Sequence, residues 1–89
     1  MMQFKIDSFD AVNDFLFSMY ERCGKIFDPA EEIKNLKDKN GAALFNEEES
    51  DYLDNVMMDC FIFCVLNDLN IYTLVNMVGY DIYHLPAAA

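Results

Sequence analysis

Ten consecutive residues, Met57–Leu66, carry nine apolar side chains and a single charge, Asp59. That is about half the ~20 residues a membrane span needs, so the run predicts a core or interface helix. Its approach is polar. Asn46-Glu47-Glu48-Glu49 sets a capping residue before three acids, with a carboxylate three residues after the cap and negative charge at the positive helix terminus. Projected at about 100° per residue, Leu53, Val56, Met57, Cys60, Phe61 and Cys64 fall on one face, and Glu47, Glu48, Asp51, Asp54 and Asp59 on the other. Beyond Asp54 the polar face fades, because Met58, Ile62, Val65 and Leu66 occupy it. A helix apolar on every side is expected to be buried on every side, at the domain centre or against another chain. Met57, Met58, Phe61, Ile62, Val65 and Leu66 are therefore the expected core or dimer seam.

The rest of the chain reads as short helices around this one. Asp7 or Ser8 caps a helix whose stripe is Phe9, Val12, Leu16, Met19, Cys23 and Ile26, with Phe15 and Phe17 off the stripe. Asp28-Pro29-Ala30-Glu31 has Asp at a cap, Pro at the first helical position and Glu three residues after the cap. It predicts a surface helix running to about Lys39 and ending at Asn40-Gly41, with only Ile33 and Leu36 as apolar content. Asn67-Asp68-Leu69-Asn70 breaks the pattern, and Ile71, Leu74, Val75 and Val78 fit one more helix ending at Gly79. The fold class is all-α, three to four short helices, with alternating residues 2–6 able to form a short N-terminal strand. The alternative is an α+β fold with a small sheet from residues 2–6 and 71–85, since the latter are rich in β-branched and aromatic side chains. Residues 1–86 form one domain, and 87–89 a disordered tail or cloning remnant.

Charge is distributed unevenly. No Lys or Arg follows Lys39, while eight acids do. All six bases lie in the first 39 residues with the other eight acids, so the formal −10 is about −8 in the second part and −2 in the first. A field of one sign steers association and argues against direct nucleic-acid binding. From Glu47 to Asp54 is about 10.5 Å of helix axis. Five carboxylates there give one charge per ~2 Å, close to the one per ~1.7 Å of duplex DNA. Three cysteines without an export signal point to reduced thiols and a cytoplasmic setting.

Chemistry-bearing motifs are sparse. Asp38-Lys39-Asn40-Gly41 followed by Glu47 resembles the EF-hand calcium loop over residues 36–47, with Asp38, Asn40 and Glu47 at its third, fifth and twelfth positions. Leu36 stands where that loop requires Asp, and the plainer reading is a helix end at Asn-Gly. Ser50-Asp51-Tyr52-Leu53 at a helix start resembles the phosphopantetheine site of acyl carrier proteins, although Glu49 and Asp51 replace the Asp and Leu that flank that family's serine. Cys60 and Cys64 are one turn apart, with His84 as a conceivable third metal ligand, but their apolar helix favours core packing. Ser50 and Thr73 have no base partner nearby in sequence, and three glycines form no phosphate loop. No catalytic residue, metal or cofactor is assigned, and no membrane partner.

The expected function is a non-enzymatic inhibitor or decoy that occupies the basic surface of a nucleic-acid-handling protein. In physical type it resembles the short, acidic, DNA-mimicking anti-CRISPR and anti-restriction proteins of phages and mobile elements. Glu47, Glu48, Glu49, Asp51 and Asp54 would supply the charge, and Phe17, Phe45 and Tyr52 exposed aromatic anchors. The alternatives are a homodimeric adaptor or toxin-immunity protein, and a degenerate EF-hand-like or carrier module.

Overall fold

The computed structural model describes residues 4–24 and 27–83, with side chains through residue 79. Among these, three α-helices and no strand are present: α1 (Phe9–Cys23), α2 (Glu47–Leu66) and α3 (Ile71–Tyr83). The protein is a small all-α bundle. The α+β alternative is corrected, because residues 71–83 are helical and residues 4–7 have no regular structure. Residues 2–3, 84 and 85 of that proposed sheet lie outside the described residues.

Each helix boundary is a local hydrogen-bonding solution. Ser8 is extended and its Oγ accepts from Ala11 N at 3.1 Å, which satisfies one of the orphan donors of α1. Gly24 ends α1 with φ of 65° and donates its N–H to Tyr20 O at 2.9 Å; glycine takes this left-handed conformation without steric cost. Ile26, the last member of the expected stripe, lies outside the described residues. Asn46 caps α2 through a complete capping box: its side chain accepts from Glu49 N at 2.7 Å, and Glu49 Oε1 accepts from Asn46 N. At the far end Asp68 takes a φ of 58°, and Leu69 N donates to Cys64 O at 2.8 Å. Asn70 then caps α3, accepting from Tyr72 N at 2.9 Å.

The core gathers Val12, Phe15, Leu16, Met19 and Tyr20 of α1, Leu53, Val56, Cys60 and Cys64 of α2, and Ile71, Leu74, Val75 and Val78 of α3. The buried face of α1 is turned toward Phe15, which lies off the expected stripe and packs edge-on against Phe4 with ring centroids 5.1 Å apart. Phe9, on that stripe, is exposed.

The helix expected over 28–39 does not form. Asp28 Oδ1 accepts from Ala30 N and its carbonyl from Glu31 N, making a turn, and only Ile33–Asn35 follow as one 3-10 turn. Glu32 and Leu36 on either side are extended, with ψ of 127° and 133°. The reason is non-local. A helix would confine its thin apolar content to one stripe, whereas the irregular path lets Phe27, Ile33, Leu36 and Phe45 all reach the core. Asn40-Gly41 is then the tip of a tight turn. Asp38 Oδ1 accepts from Asn40 N and Ala42 N, Gly41 has φ of 82°, and an isolated antiparallel bridge joins Lys37 to Ala43.

α1 packs mainly on α3, and the 3-10 turn on α2. One contact sets the α1–α3 approach. The buried Tyr20 hydroxyl donates to Val75 O at 2.8 Å, and the tyrosine ring lies against Gly79. A Cβ at position 79 would stand 2.5 Å from Tyr20 Oη and 2.9 Å from Cζ. No ring can accommodate that without moving. Gly79→Ala should therefore destabilise the fold by about 1–2 kcal/mol, since overpacking and the loss of a buried hydrogen bond outweigh alanine's helix propensity. Thermal unfolding of Gly79→Ala, Tyr20→Phe and the double variant checks this. The double variant is expected to lose less than the two single losses together; strict additivity would refute the contact.

Candidate functional site

The acids at the start of α2 do not all face solvent equally. Glu47, Glu48, Asp51 and Asp54 are exposed, and none of them forms an ion pair among the described residues. Glu49 is half-buried and committed to the capping box. The exposed acids lie on one strip, because steps of three and four residues return to the same helix face.

Following that strip toward the C-terminus changes its chemistry. Met58 is 59% exposed, Ile62 50%, Val65 77% and Leu66 78%. This corrects the expectation that the apolar half of α2 is buried on every side: one face is in the core and the other is open. Of the expected seam, Met57 belongs to the core, Phe61 is half-buried, and Met58, Ile62, Val65 and Leu66 are on the surface. The outer face of α2 is thus acidic over its first two turns and mainly apolar over its last three, where exposed Asp59 is the remaining acid. Tyr72, near the start of α3, is also exposed.

The aromatic anchors divide. Phe17 is 43% exposed. Phe45, expected on the surface, is only 5% exposed, and the Arg22 guanidinium lies 4.8 Å from its ring centroid, a cation–π contact. Tyr52 is half-buried, and its hydroxyl accepts from Phe4 N at 2.7 Å, which ties the N-terminal segment to α2. Phe45, Tyr52, Phe4, Met19 and Leu53 wall a pocket of about 250 Å³ with Arg22, Glu21 and Glu49 at its polar edge.

A second concavity, of about 370 Å³, lies between residues 29–34 and α2. Buried Ile33 and Met57 and half-buried Phe61 form its apolar floor. Exposed Glu31 and Glu32 line it from the loop, and Asp51 and Asp54 from the helix. Lys34 is also present, with its Nζ 3.6 Å from Glu32 Oε2 and both side chains largely in solvent. No sequence signal marks this groove, because the loop reaches α2 only once residues 28–39 fail to form a helix.

The remaining candidates carry less. Ser50 is buried in α2 and its Oγ has no hydrogen-bond partner, so the carrier-type reading lacks an accessible hydroxyl for attachment. Thr73 is exposed on α3. Residues 36–47 lack the preceding helix of an EF-hand, and among the described residues no three of His, Cys, Asp and Glu gather as a metal site. Cys60 and Cys64 are both in the core; His84 lies outside the described residues. Burial pushes the Cys60 thiol up to about 12 from an ordinary 9.0, with smaller contributions from Cys64 and Asp59, and burial also raises Cys64. Neither is a nucleophile at neutral pH. Among the described residues no single helix is long and apolar enough to cross a membrane; α2 and α3 are bent from each other by 113°. Comparison with protein-family models, curated proteins and solved structures gives no match.

Two outcomes follow from the buried groups. Ser50→Ala removes an unsatisfied hydroxyl at nearly constant volume and should stabilise the protein by about 1–3 kcal/mol in chemical denaturation; a loss would mean that the hydroxyl has a partner. Cys60 holds its proton in the folded state after the unfolded thiol has lost it, so its contribution is complete below pH 9.0 and declines as pH rises toward about 12. Unfolding free energies measured across that window should fall in the native protein and fall less steeply in Cys60→Ala. Equal slopes would assign the alkaline loss to other groups.

Proposed function

We propose that this protein is a non-enzymatic binding module, an inhibitor or decoy whose outer α2 face occupies the basic surface of a nucleic-acid-handling protein. The observation that carries the reading is the row Glu47, Glu48, Asp51 and Asp54: exposed, without ion pairs among the described residues, and on the strip that continues into exposed Met58 and Ile62. Charge at this density matches the spacing of phosphates, and one-signed fields accelerate encounter with an opposite surface. Of the three expected anchors Phe17 is the one at the surface; Phe45 and Tyr52 act from within by holding α1 and the N-terminal segment against α2. The partner is a basic protein surface and the assignment involves no cofactor.

A homodimeric adaptor is the second reading. It is favoured by the apolar end of the strip, since Val65 and Leu66 are more than three-quarters exposed. Its weakness is that each copy carries −10 and no base after Lys39, so like charges would meet near the seam.

Capture of the partner from its native cell at low ionic strength tests the decoy. Binding should weaken steeply with salt, duplex DNA should compete with the protein for the captured partner, and Glu48→Lys with Asp51→Lys should reduce affinity by about a hundredfold or more. Binding indifferent to salt and to both reversals would refute the electrostatic reading, while binding that DNA leaves untouched would refute the decoy.

A further inference from the structure

The acid-lined groove and the exposed apolar stripe are one surface. Met58 lines the groove beside Met57 and Phe61, and Ile62, Val65 and Leu66 continue from it at steps of four, seven and eight residues along α2. Such spacing keeps side chains on one helix face. From Met58 to Leu66 this adds about 12 Å of apolar ridge. At one end stand carboxylates on both sides of an apolar floor; at the other, aliphatic side chains stand in solvent.

We infer that this surface seats an amphipathic α-helical segment of a partner protein, with Lys or Arg at the end over the groove and aliphatic residues along Met58, Ile62, Val65 and Leu66. The inference rests on reading the outer face of α2 as the docking face, and it adds the partner's chemistry. Charge complementarity selects the occupant. Glu31 and Glu32 face Asp51 and Asp54 across the groove, and among the described residues the one cation lining it, Lys34, is held by a solvent-exposed contact to Glu32. Exposed pairs of this kind are worth about 0–1 kcal/mol, so an incoming cation can take the place of Lys34 at little cost. A long basic side chain suits the site further, because its methylene stem covers Met57 and Phe61 while its charged end remains between the acids.

A pure phosphate-binding groove would not use the apolar ridge, and a second copy of this chain would bring acids to acids. An extended peptide is disfavoured because strand addition needs a sheet edge, and the described residues contain no strand. A helix laid along the ridge satisfies its own backbone and meets both halves of the surface.

The test uses two probes against the whole protein: a Leu/Lys peptide with helical amphipathic spacing, and an oligolysine of equal charge. Fluorescence anisotropy should give the amphipathic peptide at least about tenfold higher affinity, with helicity induced on binding. Val65→Ser with Leu66→Ser, on the ridge and outside the groove lining, should erase that advantage while leaving the circular dichroism of the protein and its oligolysine binding unchanged. Glu31→Gln with Asp54→Asn should weaken both peptides. Equal binding of the two probes to the native protein would overturn the inference and leave the acidic reading intact. Binding of neither would overturn both. Sedimentation showing a dimer that Met58→Ser with Ile62→Ser dissociates would overturn it in favour of a second copy.

Discussion

A helix of 20 residues is about 30 Å long, and the molecule measures 35 × 34 × 22 Å. α2 therefore runs nearly across it. The other helices, of 15 and 13 residues, one irregular loop and the N-terminal segment held by Tyr52 cover it among the described residues. They cover one face. The Tyr20–Val75 hydrogen bond and the absence of a Cβ at Gly79 draw α1 and α3 together, which commits both helices to each other and to the same side of α2. Among the described residues nothing covers the opposite face of α2, and Met58, Ile62, Val65 and Leu66 there stand in solvent.

The acids at the start of α2 have two roles that differ by position. Glu49 is consumed by the capping box, and Glu47 and Glu48 complement the partial positive charge of the helix terminus. Asp51 and Asp54 lie beyond the first turn, where that effect has largely decayed, and no cap or ion pair uses them among the described residues. Their position beside Glu31 and Glu32 raises the local negative potential. Helix formation accounts for the first three acids of the cluster; it does not account for the last two.

The sequence was legible where structure is decided locally. The caps at Ser8 and Asn46 and the break at residues 67–70 each follow from side chains bonding to backbone a few residues away. Residues 28–39 were not, because Asp-Pro-Ala-Glu opens a turn as readily as a helix, and the decision was made by Phe27, Ile33 and Leu36 finding places in the core. Phe45 misled for the same reason: an aromatic among polar neighbours reads as exposed, and only the tertiary fold brings it beneath Arg22. The acidic half of the outer α2 strip is legible in the sequence. Its apolar half reads as buried, since periodicity is uninformative when every face is apolar. The groove, built from two segments some 20 residues apart, carried no sequence signal at all.

Acidic and apolar halves on one face would act at different stages of the proposed complex. Long-range charge raises the rate of encounter and orients a basic partner, an effect that salt screens within about 10 Å at moderate ionic strength. Contact between the aliphatic ridge and the partner excludes water and acts mainly on dissociation. A strip with acids alone would associate quickly and release quickly; a strip with aliphatics alone would invite self-association. The net charge of −10 opposes that self-association, and the reach of the aliphatic half is too short to engage a partner that lacks complementary charge. Specificity in such an arrangement comes from requiring both chemistries in the correct order along one helix.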